Sequence, residues 1–427
     1  MHDPGHILVG FGFGPIQAGL IVAEAFKSGR FERLVVAEID DALVQAIRAN
    51  GGSYAINVAY PTGIVSELIE GIDIYNPLKE PDRGQVVDAL SQSTEMATSL
   101  PSVSFYDTGA CSVASLIAQG LQHRVAPATV IYTAENNNHA AEILQKQVEK
   151  QGTPLDLARV QFLNTVIGKM SQVVTDPVQI ERQGLQPIAP GIARAFLVES
   201  FNRIMVTKTR LPGFRPGIEV FAEKHDLMPF EEAKLYGHNA IHALLAYLAD
   251  LKGYTVMSEL SEDKRLMAIA RTAFIEESGG ALIKKYSHLN DELFTPVGYA
   301  EFADDLLTRM TNPHLCDAVD RAGRDVLRKL GAHDRIFGTM RMALAHGIEP
   351  RHMALGAGAA LCCLQNEADS HELPADLRFG LSDPIEKKQI DRLLQWIWKD
   401  ATSQWGETTV ALTHEAMCKL KAFFLNQ

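Results

Sequence analysis

Short apolar runs alternate with segments of helical periodicity in the first part of the chain. The run His6–Gly10 has the pattern of a strand, and the apolar spacing over Ile16–Ser28 is that of a helix. The same patterns predict three more strands and two more helices, the strands at Leu34–Glu38, Val103–Asp107 and Thr129–Thr133 and the helices at Asp41–Asn50 and Asn136–Lys150. Because strands that alternate with helices form βαβ units, the pattern predicts a parallel, doubly wound sheet.

The pattern changes after about residue 200, and strand signals almost vanish from Pro229 onward. Long amphipathic stretches follow and predict helices at Phe230–Lys252, Ser261–Lys285, Tyr299–Met310, Leu315–Leu330 and Asp334–His346. The Ala/Gly-rich run Met353–Leu364 predicts a further, buried helix, and the Pro/Gly-rich run Arg210–Gly217 predicts a connection. We therefore predict an α/β N-terminal Rossmann-like domain over residues 1–205 and a mainly α-helical C-terminal domain over residues 206–427.

Composition and charge narrow the function classes. The chain carries 40 basic and 52 acidic residues, a net charge of −12, which disfavours non-specific binding to nucleic acid or to anionic membranes. No run of 18 uncharged apolar residues predicts a membrane span. The five cysteines show no paired metal-binding spacing, so we expect no structural zinc and a reducing, cytoplasmic setting.

A glycine-rich turn follows the first predicted strand, in the sequence Val9-Gly-Phe-Gly-Phe-Gly-Pro-Ile-Gln-Ala-Gly19. Gly12 and Gly14 fit the first two positions of a G-x-G-x-x-G dinucleotide fingerprint, and Pro15 and Ile16 open the helix whose N-terminus would face a pyrophosphate. Gln17 occupies the third glycine position, and Gly19 is a candidate for relieving close helix packing.

Glu38 ends the second predicted strand, where an acidic side chain accepts hydrogen bonds from ribose hydroxyls and repels a 2′-phosphate. The sequence therefore predicts NAD rather than NADP as the cofactor. A glycine-rich turn that binds no nucleotide is the alternative.

A lysine, an asparagine and a histidine cluster at the start of a long predicted helix, as Lys234, Asn239 and His242. Asn239 and His242 are three residues apart and share a helix face, and Lys234 precedes Asn239 by five. A lysine with a lowered pKa can exchange the proton of an alcohol during hydride transfer, and an amide can donate to the reacting oxygen. The alternative is a solvated lysine, an asparagine near a helix cap and a partly buried histidine.

Two further groups are candidates. Glu135 and Asn136 follow a predicted strand, where ligands of open α/β sheets bind, although asparagine is also an ordinary helix-capping residue. Arg321, Arg324 and Arg328 have the spacing of one helix face and could clamp a substrate phosphate; a salt-bridged surface or an interdomain strut is the alternative.

Taken together, these residues resemble the polyol-specific long-chain dehydrogenases, most of all their mannitol-1-phosphate 5-dehydrogenase branch. The family signature of a lysine, an asparagine five later and a histidine eight later is reproduced here. The block from Asn312-Pro-His-Leu through Asp320 to Arg335 resembles the C-terminal block of the phosphate-using branch. Departures include Gln17 and Ala18, where the family commonly has Gly and Arg, and a tail that diverges after about Leu373.

The resemblance implies a Rossmann domain with a helical domain and a metal-independent, NAD-dependent interconversion of a polyol phosphate and a keto-sugar phosphate. Carried over by position, Lys234 is the general acid/base, Asn239 polarises the reacting oxygen and His242 supports substrate and lysine. Glu135 and Asn136 then lie with the cofactor, and Arg324 and Arg328 with the substrate phosphate.

Two alternatives remain: a dehydrogenase of an unphosphorylated polyol or sugar acid, and a catalytically idle, NAD-binding regulatory protein. The partner is expected to be a small molecule, and the chain a monomer or homodimer.

Overall fold

The computed structural model describes residues 5–152, 154–380, 383–399 and 406–424 and separates into two compact units, Met1–Met228 and Pro229–Gln427. The N-terminal unit holds twelve strands among its described residues: β1 (His6–Phe11), β2 (Phe31–Ala37), β3 (Tyr54–Tyr60), β4 (Gly63–Ile69), β5 (Ile72–Tyr75), β6 (Glu95–Thr98), β7 (Thr129–Thr133), β8 (Val160–Val166), β9 (Ser171–Val174), β10 (Ala195–Glu199), β11 (Ile204–Thr207) and β12 (Phe221–Lys224). The predicted boundary at 205/206 lies within β11, which still belongs to the sheet of this unit.

Eight of these strands form one sheet in the order β12-β11-β8-β7-β6-β1-β2-β5. Neighbouring strands are parallel except for the β8–β11 pair. The order β5-β2-β1-β6-β7-β8 is that of a doubly wound dinucleotide-binding sheet, with its switch point beside β1. The predicted parallel α/β architecture is therefore confirmed.

Both faces of this sheet are covered. Leu8 and Val9, adjacent on β1, are fully buried in two different apolar clusters, because successive strand residues point to opposite faces. Strands buried on both sides explain why the sequence shows apolar runs instead of strict alternation.

A second sheet, with the order β4-β3-β10-β9, was not predicted. It packs against the helix that follows the glycine-rich turn. A Cβ built on Gly19 would lie 2.6 Å from Val198 Cγ1 of β10, and the Tyr54 hydroxyl donates to the Ala18 carbonyl oxygen at 2.8 Å. Gly19 thus provides the close packing that the sequence suggested for it.

The helices of the N-terminal unit are α1 (Ala23–Ser28), α2 (Asp41–Ala49), α3 (Asp82–Gln92), α4 (Val113–Gln122), α5 (Ala140–Glu149) and α6 (Pro177–Gln183). The strand predicted at Val103–Asp107 is wrong, because a 3₁₀ helix occupies those residues. Ser102 caps it by accepting from the Ser104 N–H at 3.2 Å, and the Tyr106 hydroxyl donates to buried Glu135. These two anchors outweigh the strand propensity of the β-branched and aromatic residues.

The C-terminal unit is helical, as predicted, and its described residues contain no named strand. Its helices, the first of which begins at the last residue of the N-terminal unit, are α7 (Met228–Glu232), α8 (Ala240–Leu251), α9 (Lys264–Thr272), α10 (Gly280–Tyr286), α11 (Pro296–Met310), α12 (Val319–Gly323), α13 (Val326–Lys329), α14 (Phe337–Ala345), α15 (Arg351–Asn366), α16 (Lys387–Trp398) and α17 (Gly406–Phe424). None of the described helices combines the length and apolar character that crossing a membrane requires.

The single helix predicted at Leu315–Leu330 is wrong, because the chain breaks between α12 and α13. Asp325 adopts a left-handed conformation with φ of 59°. The carbonyl oxygens at the break are taken by side chains: the Tyr247 hydroxyl donates to Gly323 at 2.8 Å, and the Lys329 ammonium donates to Ala322. Side chains of α8 and α13 thus satisfy carbonyl oxygens that would be paired within the helix if it were continuous.

Three segments of the described residues are π-helical, with hydrogen bonds five residues apart instead of four: π1 (Gln17–Val22), π2 (Ala233–Asn239) and π3 (Ala273–Gly279). π-Helical turns are rare and occur often at functional sites. π1 carries the glycine-rich turn into α1, and π2 joins α7 to α8 and contains the predicted lysine and asparagine.

Candidate active site

The π2 segment determines how the lysine, asparagine and histidine are arranged. In a regular α-helix Lys234 and Asn239 would be roughly 140° apart around the axis. In the π-helical segment, whose hydrogen bonds join residues five apart, Asn239 comes about one turn after Lys234 and lies on the same side. The helix continues as α8, where His242 follows Asn239 by three residues and shares its side. The predicted convergence of these three residues therefore depends on the wide turn.

Lys234 is half-buried, and its surroundings disfavour the charged form of its side chain relative to the neutral amine. Desolvation, together with the charge of Arg335, lowers the pKa of Lys234 to about 8, against the opposing effect of buried Glu231. A lysine with this pKa exchanges protons near neutral pH, which suits a general acid/base.

His242 is oriented by a carboxylate that the sequence interpretation missed. Its Nε2 lies 3.0 Å from Asp317 Oδ2, and the guanidinium of Arg321 binds the other oxygen, Oδ1, at 2.6 Å. Burial of Asp317 opposes ionisation, but the hydrogen bond from His242 and the charge of Arg321 outweigh it and hold the pKa of this carboxyl below its usual value. Because an ionised carboxylate only accepts, the shared proton belongs to His242 Nε2.

A second histidine lies beside the first. The rings of His238 and His242 are 6.4 Å apart, and His238 is only 7% exposed. Burial, the His242 ring and the charge of Arg309 lower the pKa of His238 well below its usual value, so His238 is neutral.

A buried lysine adds to the positive charge of this region. Lys329 is 4% exposed, and its ammonium lies 5.9 Å from the centre of the Tyr247 ring. Desolvation and the charges of Arg335 and Arg328 lower the pKa of Lys329 to about 7. Neither burial nor a hydrogen bond to a main-chain carbonyl oxygen can be predicted from sequence spacing, which is why the sequence does not identify Lys329 as a candidate.

The predicted arginine face does not form as one surface, because Arg321 and Arg328 lie on different helices. Arg321 binds Asp317, whereas exposed Arg328 lies 3.3 Å from Asp325 and 3.5 Å from Asp334. Arg324 is exposed at the break between the helices. The phosphate contact expected of Arg324 and Arg328 stays a prediction.

The N-terminal unit carries the predicted cofactor residues at the carboxyl ends of β1 and β2. Gly12 has φ of 80°, and a Cβ there would lie 3.0 Å from the Ser99 carbonyl oxygen. Gly14 has no atom within 4 Å of a built Cβ, which leaves open space in front of the helix. Pro15 and Ile16 then begin that helix, as expected of its first turn. This open cradle at a helix N-terminus fits a pyrophosphate.

Gln17 does not reach into that cradle. Its side chain is fully buried over Gly10, where a Cβ would lie 2.0 Å from Gln17 Nε2. Within the described part of the chain neither Oε1 nor Nε2 of Gln17 has a hydrogen-bond partner. The substitution at the third fingerprint position is thus accommodated on the buried, inner side of π1.

Glu38 tightens the glycine-rich turn. Its Oε2 accepts from the Phe13 N–H at 2.7 Å, and its Oε1 accepts from the N–H groups of Ile39 and Asp40 at 2.7 and 2.8 Å. The carboxylate therefore stands at the end of β2, where a ribose is bound in this architecture.

Glu135 lies at the end of β7 but points inward. It is 5% exposed and accepts from Thr98 Oγ1 at 2.9 Å, from the Leu100 N–H at 2.8 Å and from the Tyr106 hydroxyl. Burial raises the pKa of Glu135 above its usual value. Asn136 is exposed just beyond it, and the predicted cofactor contacts of both residues stay predictions.

No three His, Cys, Asp or Glu side chains come together as metal ligands among the residues described.

Comparison with known proteins identifies the C-terminal region directly, since residues 226–401 match the mannitol dehydrogenase C-terminal domain. Two relatives named mannitol-1-phosphate 5-dehydrogenase are similar over most of the chain. The one from Exiguobacterium is 28% identical over 386 residues, which cover 89% of this chain and 91% of that protein. The one from Brevibacillus brevis is 27% identical over 409 residues, which cover 91% and 99%.

Two solved structures share the fold. D-Sorbitol dehydrogenase in substrate-free form has a TM-score of 0.73 at 14% identity, covering 98% of this chain and 94% of that one. The Pseudomonas fluorescens mannitol 2-dehydrogenase ternary complex with NAD and D-mannitol has a TM-score of 0.69 at 16% identity, covering 99% and 94%. The family match, the relatives and the fold agree with the resemblance read from the sequence: residues 226–401 match the mannitol dehydrogenase C-terminal domain, and most of the chain is similar to mannitol-1-phosphate 5-dehydrogenases.

Proposed function

We propose that the protein is an NAD-dependent dehydrogenase that interconverts a polyol phosphate, such as mannitol 1-phosphate, with the corresponding keto-sugar phosphate. The observation that carries the proposal is Lys234, whose pKa is lowered to about 8, on a π-turn that brings it to the side of Asn239 and His242. Carbonyl–alcohol interconversion needs one proton exchanger and one donor to the oxygen, and these residues supply both.

Lys234 moves the proton. In the oxidation direction its neutral amine takes the hydroxyl proton of the polyol, and in the reduction direction its ammonium returns a proton to the carbonyl oxygen. The Asn239 amide donates a hydrogen bond to the same oxygen and stabilises the charge that develops there. Bound NAD supplies the hydride acceptor, for which Gly12, Gly14 and Glu38 provide the cradle.

His242 orients the substrate hydroxyl. With its Nε2 proton held by Asp317 at 3.0 Å, the Nδ1 of a neutral imidazole is an acceptor. That acceptor can receive a hydrogen bond from the hydroxyl or from Lys234, and the ion pair to Arg321 fixes the carboxylate behind it.

Local charge favours an anionic substrate. The chain as a whole is acidic, yet Lys234, Lys329 and Arg335 lie close enough for Arg335 to lower the pKa of both lysines. Both relatives named above are called mannitol-1-phosphate 5-dehydrogenases. Asp334 pairs with Arg335 at 2.8 Å and offsets part of this charge. A phosphate would offset the rest, which is why we favour a phosphorylated substrate over a free polyol.

The test is NADH oxidation by the purified protein with fructose 6-phosphate, fructose and glucose 6-phosphate, in EDTA. We expect turnover with fructose 6-phosphate, at a kcat/KM about 100-fold above that with fructose, because one well-placed phosphate contributes roughly 3 kcal/mol. NADPH should be the poorer cofactor because of Glu38.

Turnover with fructose but not with fructose 6-phosphate would support the lysine mechanism and contradict the proposal of a phosphorylated substrate. Tight NADH binding without oxidation of any keto-sugar would overturn the proposal in favour of a non-catalytic, NAD-binding protein.

A further inference from the structure

Two of the π-helical segments, π2 and π3, are held against one another by Tyr299 of α11. A Cβ built on Gly237 of π2 would lie 2.7 Å from the Tyr299 hydroxyl, and one built on Gly279 of π3 would lie 2.5 Å from the Tyr299 ring. Tyr299 itself is fully buried. Glycine at both positions therefore admits the tyrosine between the two wide turns.

A chain of hydroxyl groups runs from this tyrosine to the main chain of π2. Ser278 Oγ, also fully buried, donates to the Tyr236 carbonyl oxygen at 2.8 Å. Because a hydroxyl has one proton and Ser278 gives it to the carbonyl, the Tyr299 hydroxyl donates to Ser278 across their 3.1 Å contact. Thr339 Oγ1 lies 3.2 Å from the same carbonyl and 2.5 Å from the Arg335 carbonyl oxygen.

These hydrogen bonds favour the widened turn because they supply donors to its main chain. Changing the pairing from four to five residues displaces main-chain carbonyls from the regular helical ladder. A buried carbonyl left without a donor is destabilising, because it has lost its hydrogen bonds to water. The Ser278 hydroxyl supplies a donor to Tyr236, in the middle of π2, and so lowers the cost of the wide form relative to the regular helix.

The wide form matters because of what it does to Lys234 and Asn239. In the α-helical register the two residues would be roughly 140° apart, and one of them would leave the side shared with His242. We propose that Ser278 and Tyr299 are positioning residues that hold π2 in its wide form and thereby keep Lys234 and Asn239 on one side of the helix. The catalytic meaning of this arrangement rests on the proposed function.

The test compares Ser278→Ala, Ser278→Cys and Tyr299→Phe with the parent protein. Ser261→Ala is the matched control, because the exposed Ser261 hydroxyl also donates to a helical carbonyl oxygen, that of Ser258, at 2.7 Å. The cysteine variant keeps the shape and a weak donor, and the phenylalanine variant keeps the ring wedge.

The first readout needs no substrate. The pH dependence with which Lys234 is acylated by an amine-reactive reagent, followed by mass spectrometry, reports the pKa of that lysine. We expect Ser278→Ala to raise the midpoint by about one pH unit as the lysine turns toward water, with smaller shifts for Ser278→Cys and Tyr299→Phe and none for the control. An unchanged midpoint in all three folded variants would overturn the proposal.

The second readout is kinetic. We expect Ser278→Ala to reduce kcat about ten- to hundredfold with little change in KM, because moving a reacting group by about 1 Å can lower the rate roughly 100-fold. The isotope effect with NADH deuterated at the transferred position should rise toward its full value. A variant that merely lowers the folded fraction would change neither KM nor the isotope effect nor the lysine midpoint.

The two readouts separate the two proposals. If the parent protein oxidises NADH with none of the keto-sugars, the proposed function fails, while the Lys234 midpoints still decide whether Ser278 and Tyr299 position the turn. If Ser278→Ala does not fold, the cysteine and phenylalanine variants give the same decision.

Discussion

The two candidate functional motifs lie on the same kind of unusual element, a π-helical turn, yet the two turns differ in how their buried polar groups are satisfied. In π1 the amide of Gln17 is buried without a hydrogen-bond partner among the described residues. In π2 the Tyr236 carbonyl oxygen receives the Ser278 hydroxyl at 2.8 Å. A main-chain carbonyl oxygen of π1 also receives a hydroxyl, since Ala18 accepts from Tyr54 at 2.8 Å, so the contrast lies in the buried side chain of π1, which has no partner among the described residues.

In the proposed function the two turns also differ in what they would present to a ligand. At π1 the useful groups are main-chain N–H groups and the absence of side chains at Gly12 and Gly14, so the inward side chain at position 17 matters little for binding. At π2 the useful groups are the side chains of Lys234 and Asn239, whose relative direction depends on the register of the turn. The register of π2 therefore bears directly on the candidate site, whereas at π1 the main chain matters more than the side chain at position 17.

The largest expected effect comes from removing the side chain that π2 presents. Lys234→Ala should lower kcat by about 10²- to 10⁴-fold, because proton transfer then has no positioned group. In the parent protein, polyol oxidation should rise with pH through about 8 as the neutral amine forms, and keto-sugar reduction should fall over the same range. Lys264→Ala, at an exposed position on α9, is the control. Retention of most of the activity by Lys234→Ala would show that π2 does not carry the chemistry.

The next effect tests the support behind His242. Asp317→Asn should lower kcat about ten- to hundredfold, since the amide keeps a hydrogen bond but loses the charge that orients the imidazole and pairs with Arg321. Steady-state kinetics with the exposed neighbour Asp320→Asn as control measures it. Equal effects of the two substitutions would remove Asp317 from the site.

A third comparison uses π3, whose Glu277 side chain accepts hydrogen bonds from main-chain N–H groups of another helix. Glu277, 4% exposed, accepts from the N–H groups of His352 and Met353 at 2.7 and 2.8 Å at the start of α15, and from His352 Nδ1 at 2.8 Å. Glu277→Gln should therefore lower the free energy of unfolding by about 1–2 kcal/mol. Urea unfolding measures this, with exposed Glu301→Gln expected to change little.

The same pair gives a pH dependence with a definite sign. The hydrogen bond to Glu277 raises the folded-state pKa of His352 above its usual 6.5. Its stabilisation is therefore fully present below the unfolded pKa and is lost as the pH rises through the folded pKa. In Glu277→Gln the loss of stability as the pH rises above about 6.5 should disappear, and a variant that keeps the parent's pH dependence would contradict the assignment.

The smallest effect, and the only stabilising one, is expected at π1. Gln17→Met replaces a buried amide that has no partner by an apolar side chain of similar shape, and should raise the free energy of unfolding by about 1 kcal/mol. Gln119→Met, at an exposed position on α4, should be nearly neutral. A clear destabilisation by Gln17→Met would mean that the amide is satisfied, for example by a buried water molecule, and would erase the contrast between the two turns.

Much of the N-terminal fold followed from local patterns. The apolar runs at β1, β2 and β7 were long enough and well enough bounded to be predicted, and a strand–glycine–helix sequence has few other structural interpretations. The four-stranded sheet was missed, because strands such as β4 leave Val65 and Leu68 exposed and show no clear alternation. The segment Val103–Asp107 was predicted wrongly, because its conformation is fixed by the distant residue Glu135.

The C-terminal site shows the same limit. Spacing together with the family resemblance suggested Lys234, Asn239 and His242, whereas Asp317 lies 75 residues away in sequence from the histidine it orients. Arg321 and Arg328 were expected on one helix face, but Tyr247 and Lys329 take the carbonyls at a break that periodicity cannot reveal.

The sequence by itself determined the fold class, the dinucleotide turn and the residue types that make up the candidate site, because local propensity, glycine geometry and hydrophobic period act over a few neighbouring residues. Only the tertiary structure decided the register of π2, the partner of His242 and the lowered pKa of Lys234. Those properties come from burial and from hydrogen bonds between elements far apart along the chain, and such interactions exist only once the unit has packed.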